Sequence, residues 1–169
     1  WWTGFWSMRY TDWSQIEAPS SRGQMSNPAM LVDWRRFSTQ QCKDFMTMER
    51  DTVKAVNPEL LCTANLMERF WDYDYFSLGE AMDVISWDAY PAWGGTDDGA
   101  TASEFACNHD LMRSFKHQPF LLMESTPSLV NWHSHNRTKR PGMHELGSMQ
   151  AVAHGSQSVR SDEAADDDR

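Results

Sequence analysis

The sequence has too little positive charge to suit a nucleic-acid partner. Lys and Arg number 15 against 24 Asp and Glu, giving a formal net charge of −9 and an isoelectric point near 5.0. Phosphate backbones are held by clustered cations, so nucleic acid is not expected as a partner. No apolar run approaches the ~20 residues that a membrane-spanning helix needs, and no membrane partner is expected. Cysteine is scarce: Cys42, Cys62 and Cys107 are widely spaced and form no C-x-x-C pair. That leaves no recognisable zinc motif and predicts free, buried thiols. No glycine-rich phosphate-binding fingerprint follows any apolar segment, which argues against a nucleotide site. An initiator Met and a signal-peptide pattern are also absent. The opening Trp1-Trp2-Thr3-Gly4-Phe5-Trp6 reads as a cut through a longer protein, so the missing leader leaves the compartment open.

What is present fits a globular protein. Hydrophobic residues make up 40% and charged residues 23%, outside the disordered range. Nine Trp supply flat apolar faces with a polar N–H, a surface on which sugar rings stack; burial in a core would use them equally well. Residues 1–37 read as an aromatic, turn-rich region. Ser38 with Gln41 makes a capping box, and Cys42, Phe45, Met46, Val53 and Val56 recur at helical spacing until Asn57-Pro58 stops the helix. Residues 60–64 predict a short strand ending at Asn65. A helix is expected over 76–82, and a second strand over 84–87 leading into Asp88-Ala89-Tyr90-Pro91. Thr101 with Glu104 suggests a further capped helix. Phe120 to Met123 predict a third strand that delivers Glu124, a helix follows over 142–153, and a fourth strand lies near 156–159.

Helices alternating with strands predict parallel βα units. Asn65, Asp88, Tyr90 and Glu124 would then lie at carboxyl ends of strands, the active-site end of both barrels and open doubly wound sheets. Four strands make half of a (β/α)8 barrel. A lone carboxylate carried to that rim suits glycoside cleavage, where one carboxyl group attacks the anomeric carbon or activates water and another protonates the leaving oxygen. A rim-facing structural Glu is the plainer alternative. Asp88 reads first as a structural hydrogen-bonding residue and second as an active-site carboxylate. Asn65 reads as a substrate contact or a turn cap. His133, His135, His144 and His154 lack the i, i+4 spacing of a helical zinc pair, so no metal is assigned. Asn136-Arg137-Thr138 fits a glycosylation sequon.

The segment Pro119-Phe-Leu-Leu-Met-Glu124-Ser-Thr-Pro-Ser-Leu-Val-Asn-Trp132 closely resembles the nucleophile motif of glycoside hydrolase family 42, the β-galactosidases. So do Trp1 to Trp13, Asp33-Trp-Arg-Arg-Phe37, Asp83-Val-Ile-Ser-Trp-Asp-Ala-Tyr-Pro91, Lys139-Arg-Pro-Gly142 and Gln150-Ala-Val-Ala-His-Gly155. The resemblance covers about residues 1–159. It implies an α/β fold, a partial (β/α)8 TIM barrel comprising roughly the second half, strands 5–8. It implies hydrolysis of terminal β-D-galactosides with retention, through a galactosyl–enzyme intermediate on Glu124 as catalytic nucleophile. Tyr90 and Trp132 match substrate-site residues of the family, no cofactor is implied, and the parent enzyme would be a homotrimer.

The family's acid is a Glu preceded by Asn on an earlier strand, and no Asn-Glu dipeptide occurs here. The chain alone is therefore expected to be inactive. Residues 160–169 depart from the family and read as an acidic, disordered tail. Two rival readings are a non-catalytic carbohydrate-binding fragment and a related barrel glycosidase acting on another sugar.

Overall fold

A computed structural model of the chain describes residues 9–19, 27–93, 97–125, 129–130 and 136–161. After a 3-10 turn at Trp13–Gln15, the elements run α1 (Pro28–Val56), β1 (Asn65–Met67), α2 (Tyr75–Gly79), β2 (Ser86–Ala89), α3 (Asp98–Ser114), β3 (Phe120–Ser125), α4 (Met143–Ala153) and β4 (Ser156–Ser161). The expected alternation of helix and strand is present in the expected order.

Several boundaries differ from the sequence expectation. α1 begins ten residues before Ser38, because Asn27 caps it and Pro28 fills its first position. Asn27 Oδ1 accepts from the amide of Ala29 at 2.9 Å, and proline there gives up an N–H that would have had no helical partner. Ser38 lies in mid-helix. At the other end Asn57 and Pro58 stop the helix as expected. The cap of α3 is Asp97, whose carboxylate accepts from Ala100 N at 2.9 Å, so Thr101 is already inside the helix. α2 is shorter than expected, with its turn held by Asp74. β1 is Asn65–Met67 instead of 60–64. Leu60 and Leu61 are exposed, and pairing to β2 starts only at Asn65, opposite Ser86. The cysteines are free; Cys42 and Cys62 are half-buried, but Cys107 is exposed on α3 rather than buried.

The four strands form one sheet in the order β1-β2-β3-β4, with every pair parallel. Crossovers between successive parallel neighbours are right-handed as a rule, which puts their helices on one face of the sheet. A doubly wound sheet reverses its strand order at a switch point; this sheet does not, and its order is that of an arc of a barrel. The core lies on the helix side. Leu66, Trp87, Ala89, Phe120 and Leu122 from the strands meet Leu78, Met82, Phe105, Met112 and Ala151. Trp87, Met112 and Phe120 are fully inaccessible. His109 of α3 is buried among them, edge-on to Trp87 and stacked on Phe120.

β3 contains an irregularity that decides where its last residues point. Against β2, Leu122 pairs with Trp87 but Glu124 pairs with Asp88, so β3 spends one more residue than its neighbour. Against β4 the same excess occurs between Leu122 and Ser125. Both neighbours therefore locate a β-bulge at Met123–Glu124. Burial follows it: Phe120 and Leu122 are buried, and the next buried residue is Ser125, not residue 124. Strict alternation would have sent Glu124 to the helix side with Phe120 and Leu122; the extra residue turns it to the opposite face.

Candidate active site

Asn65, Asp88, Tyr90 and Glu124 converge on the face of the sheet opposite the helices. Each occupies its place because its strand neighbours are apolar and buried: Leu66 follows Asn65, Trp87 and Ala89 flank Asp88, and Ala89 precedes Tyr90. Alternation along β1 and β2 then sends the polar residues to the other side. On β3 the bulge does the same for Glu124.

The two oxygens of Glu124 accept hydrogen bonds from Tyr90, which directly follows β2, and from Asn65, which opens β1. Tyr90 Oη donates to Oε2, and Asn65 Nδ2 donates a longer bond to Oε1 at 3.5 Å. Asn65 Nδ2 also donates to Asp88 Oδ2 at 3.2 Å. Glu124 and Tyr90 are half-buried and Asn65 is exposed, whereas Asp88 is buried at 5% exposure. The result is a half-exposed carboxylate fixed by a phenol and an amide, with a second, buried carboxylate paired with it on the neighbouring strand. Such a group can attack an electrophilic carbon or orient a water, and its donors set its direction.

Asn65, Tyr90 and Glu124 are thus brought together. Trp132, together with His133 and His135, lies outside the described residues. Val130 and Asn136, which flank that segment, are joined directly: Asn136 Oδ1 accepts from Val130 N at 3.0 Å and its Nδ2 donates to Val130 O at 2.7 Å. The amide that reads as a glycosylation sequon therefore joins the two described residues on either side of that segment.

Of the remaining histidines, His154 pairs with Asp110 at 2.7 Å. His144 lines a small cavity behind Ser125, with Trp93, His109, Lys139 and Gln150. Burial pulls the Lys139 ammonium down to about 8, and burial with help from His154 pulls the His109 imidazole down to about 4. Among the described residues no group of three His, Cys, Asp or Glu could hold a metal ion.

Sequence reasoning missed two features. The sharing of one amide by Asp88 and Glu124 depends on a strand register that no local pattern reports. The bulge leaves no glycine or proline marker in Phe120-Leu-Leu-Met-Glu-Ser125.

Comparison with known proteins gives this geometry a family. The β-galactosidase profile of glycoside hydrolase family 42 matches residues 1–161. The chain is 48% identical over 161 residues to β-galactosidase BglY of Alicyclobacillus acidocaldarius, covering 95% of this chain and 23% of that protein. It is 47% identical to β-galactosidase GalA of Bacillus licheniformis, covering 94% and 25% respectively. The solved β-galactosidase from Rahnella sp. R3 superimposes with a TM-score of 0.90 at 51% identity, over 95% of this chain and 24% of that one. The chain spans about a quarter of the length of the relatives it matches. This chain belongs to glycoside hydrolase family 42, the β-galactosidases.

Proposed function

We propose that this chain is part of a retaining β-galactosidase in which Glu124 is the nucleophile. The observation that carries the reading is Glu124 itself, half-exposed on the face away from the helices, with one oxygen held by Asn65 and the other by Tyr90. In this reading Glu124 attacks the anomeric carbon of a terminal β-D-galactoside, the aglycone leaves with a proton from an acid, and water then releases galactose with that group acting as base. Tyr90 and Asn65 orient the carboxylate, and Trp132 lines the galactose site. The strands β1 to β4 are the fifth to eighth of an eight-stranded barrel that takes in the chain through Ser161 at the end of β4; the acidic residues 162–169, read from sequence as a tail, lie outside the described residues.

The acid is supplied from outside these 169 residues. A retaining pair stands about 5–5.5 Å apart across the scissile bond. Asp88 is a poor candidate, because it is buried beneath the amide it shares with Glu124. The chain alone therefore lacks proton delivery to the leaving group, a contribution of typically ~10²–10⁴ in rate. The whole enzyme assembles as a homotrimer, which its mass in solution would check.

The test uses the full-length polypeptide that carries this segment. Glu124→Gln should abolish hydrolysis of a chromogenic β-D-galactoside while galactose still binds. Glu124→Gly should regain turnover with azide and release a galactosyl azide of inverted anomeric configuration. Undiminished turnover in Glu124→Gln would overturn the assignment. Hydrolysis of a different glycoside in a chromogenic panel, with galactosides untouched, would redirect the specificity.

A further inference from the structure

We infer that Asp88 is a positioning residue for Glu124 that acts through Asn65. The inference rests on the reading of Glu124 as the nucleophile and concerns what holds that carboxylate in place. Asp88 sits in the middle strand of a parallel triplet, level with Met67 on one side and, across the bulge, with Glu124 on the other. Ladder pairing on both sides fixes its backbone, and at 5% exposure its side chain has little room to turn. Asn65 is different: its side chain is exposed at the edge strand of the described sheet and has little packing to hold it.

The chemistry of a primary amide makes this difference matter. The nitrogen of Asn65 carries two hydrogens, and the two carboxylate oxygens within reach of it are Asp88 Oδ2 at 3.2 Å and Glu124 Oε1 at 3.5 Å. One hydrogen serves each. The amide's oxygen and nitrogen ends are nearly equal in size, so packing alone does not choose between them; hydrogen-bond partners do. Turned over, the amide would present its oxygen to two acceptors. The shorter bond to the immobile Asp88 rejects that orientation and leaves the second N–H aimed at Glu124. A long bond of this kind tightens when charge and substrate are in place. Without Asp88, only the 3.5 Å contact sets the amide, and one of the two donors to Glu124 loses its direction.

The test uses the full-length enzyme with two readouts: kcat and KM on a chromogenic β-galactoside, and the rate at which a 2-deoxy-2-fluoro-galactoside traps the galactosyl–enzyme. Asp88→Ala should lower kcat and the trapping rate by about 10–100-fold with KM within about threefold, the pattern of lost orientation in the transition state. Asp88→Asn, whose side-chain oxygen still accepts from Asn65, should recover most of that loss. Asn65→Ala should cost a similar factor, and the double variant should be no worse than the more damaged single variant, because both act along one path. If Asp88→Ala does not fold, Asp88→Leu removes the acceptor at similar shape without a cavity, and the same drop is expected. The inference fails if kcat is unchanged in a folded variant, if KM alone rises, or if the Asp88 and Asn65 effects multiply. Trapping that labels a residue other than Glu124 in the wild-type enzyme would instead sink the nucleophile reading beneath it.

Discussion

Leu66, Trp87, Ala89, Phe120 and Leu122 face the helices and are almost inaccessible, whereas Asn65, Asp88, Tyr90 and Glu124, on or directly after the same three strands, share hydrogen bonds on the opposite face. Neighbouring positions along one chain therefore perform different tasks. The helix side holds the sheet by burial, and its residues are exchangeable for others of like volume. The other side is held by directional bonds between strands, where a small displacement costs chemistry before it costs stability. The separation of the two faces depends on strand register, and on β3 that register includes one extra residue.

The sharpest way to break the distinction is to shift that register by one. Inserting an alanine between Met123 and Glu124 in the full-length enzyme should carry Glu124 to the helix side, since a one-residue slip exchanges the faces of a strand. Turnover of a β-galactoside should then fall by on the order of 10⁴-fold or more, as expected for loss of the proposed nucleophile; normal turnover would show that the register of β3 does not aim Glu124. On the packed side, Trp87→Ala empties a fully buried site between Phe105 and His109. We expect a loss of about 3–5 kcal/mol in denaturant unfolding, with KM for galactoside little changed in the fraction that remains folded. A loss below 1 kcal/mol would mean that the face is not the core.

Two smaller effects sharpen the contrast. Tyr90→Phe keeps the ring and removes the donor to Glu124 Oε2. Hydrogen bonds to charged groups contribute about 1.5–3 kcal/mol, so kcat should drop roughly 10–150-fold while the melting temperature barely moves. The reverse result, a lower melting temperature at full kcat, would make Tyr90 a packing residue. His109 supplies the matching test on the helix side. Burial holds its folded value at about 4 against an ordinary 6.5. A depressed value means that the unfolded chain takes up the proton first. The contribution of neutral His109 is therefore intact above about pH 6.5 and is lost as pH falls toward 4, at up to about 1.4 kcal/mol per pH unit. Urea midpoints of the wild type should decline across that window, and His109→Asn should flatten the decline.

Much of the architecture was legible before any coordinates. Alternating helices and strands, Pro58 as a stop, and apolar runs leading to Asp88 and Glu124 are local signals, and each corresponds to an observed element. The failures have identifiable causes. At the start of α1, the Asn27-Pro28 pair competed with a capping box at Ser38 that is satisfied by the helix interior. At Thr101, an aspartate four residues earlier is the stronger cap. Around 60–64 the sequence is apolar enough for a strand, but Leu60 and Leu61 lie exposed, and ladder pairing begins where β2 does. Asn65 therefore opens a strand that it was expected to close, yet its amide still reaches Glu124.

By itself the sequence determined the kind of unit this is and which residues were worth watching, because hydrophobic period, caps and a long ordered motif are written in consecutive residues. Only the tertiary structure decided which side of the sheet each polar residue serves. That outcome depends on the count of residues in neighbouring strands, and a single uncounted residue at Met123 moves Glu124 from one face to the other. The amide shared by Asp88 and Glu124 is likewise a property of three adjacent strands, each about 4.8 Å from the next, a spacing that no one strand encodes.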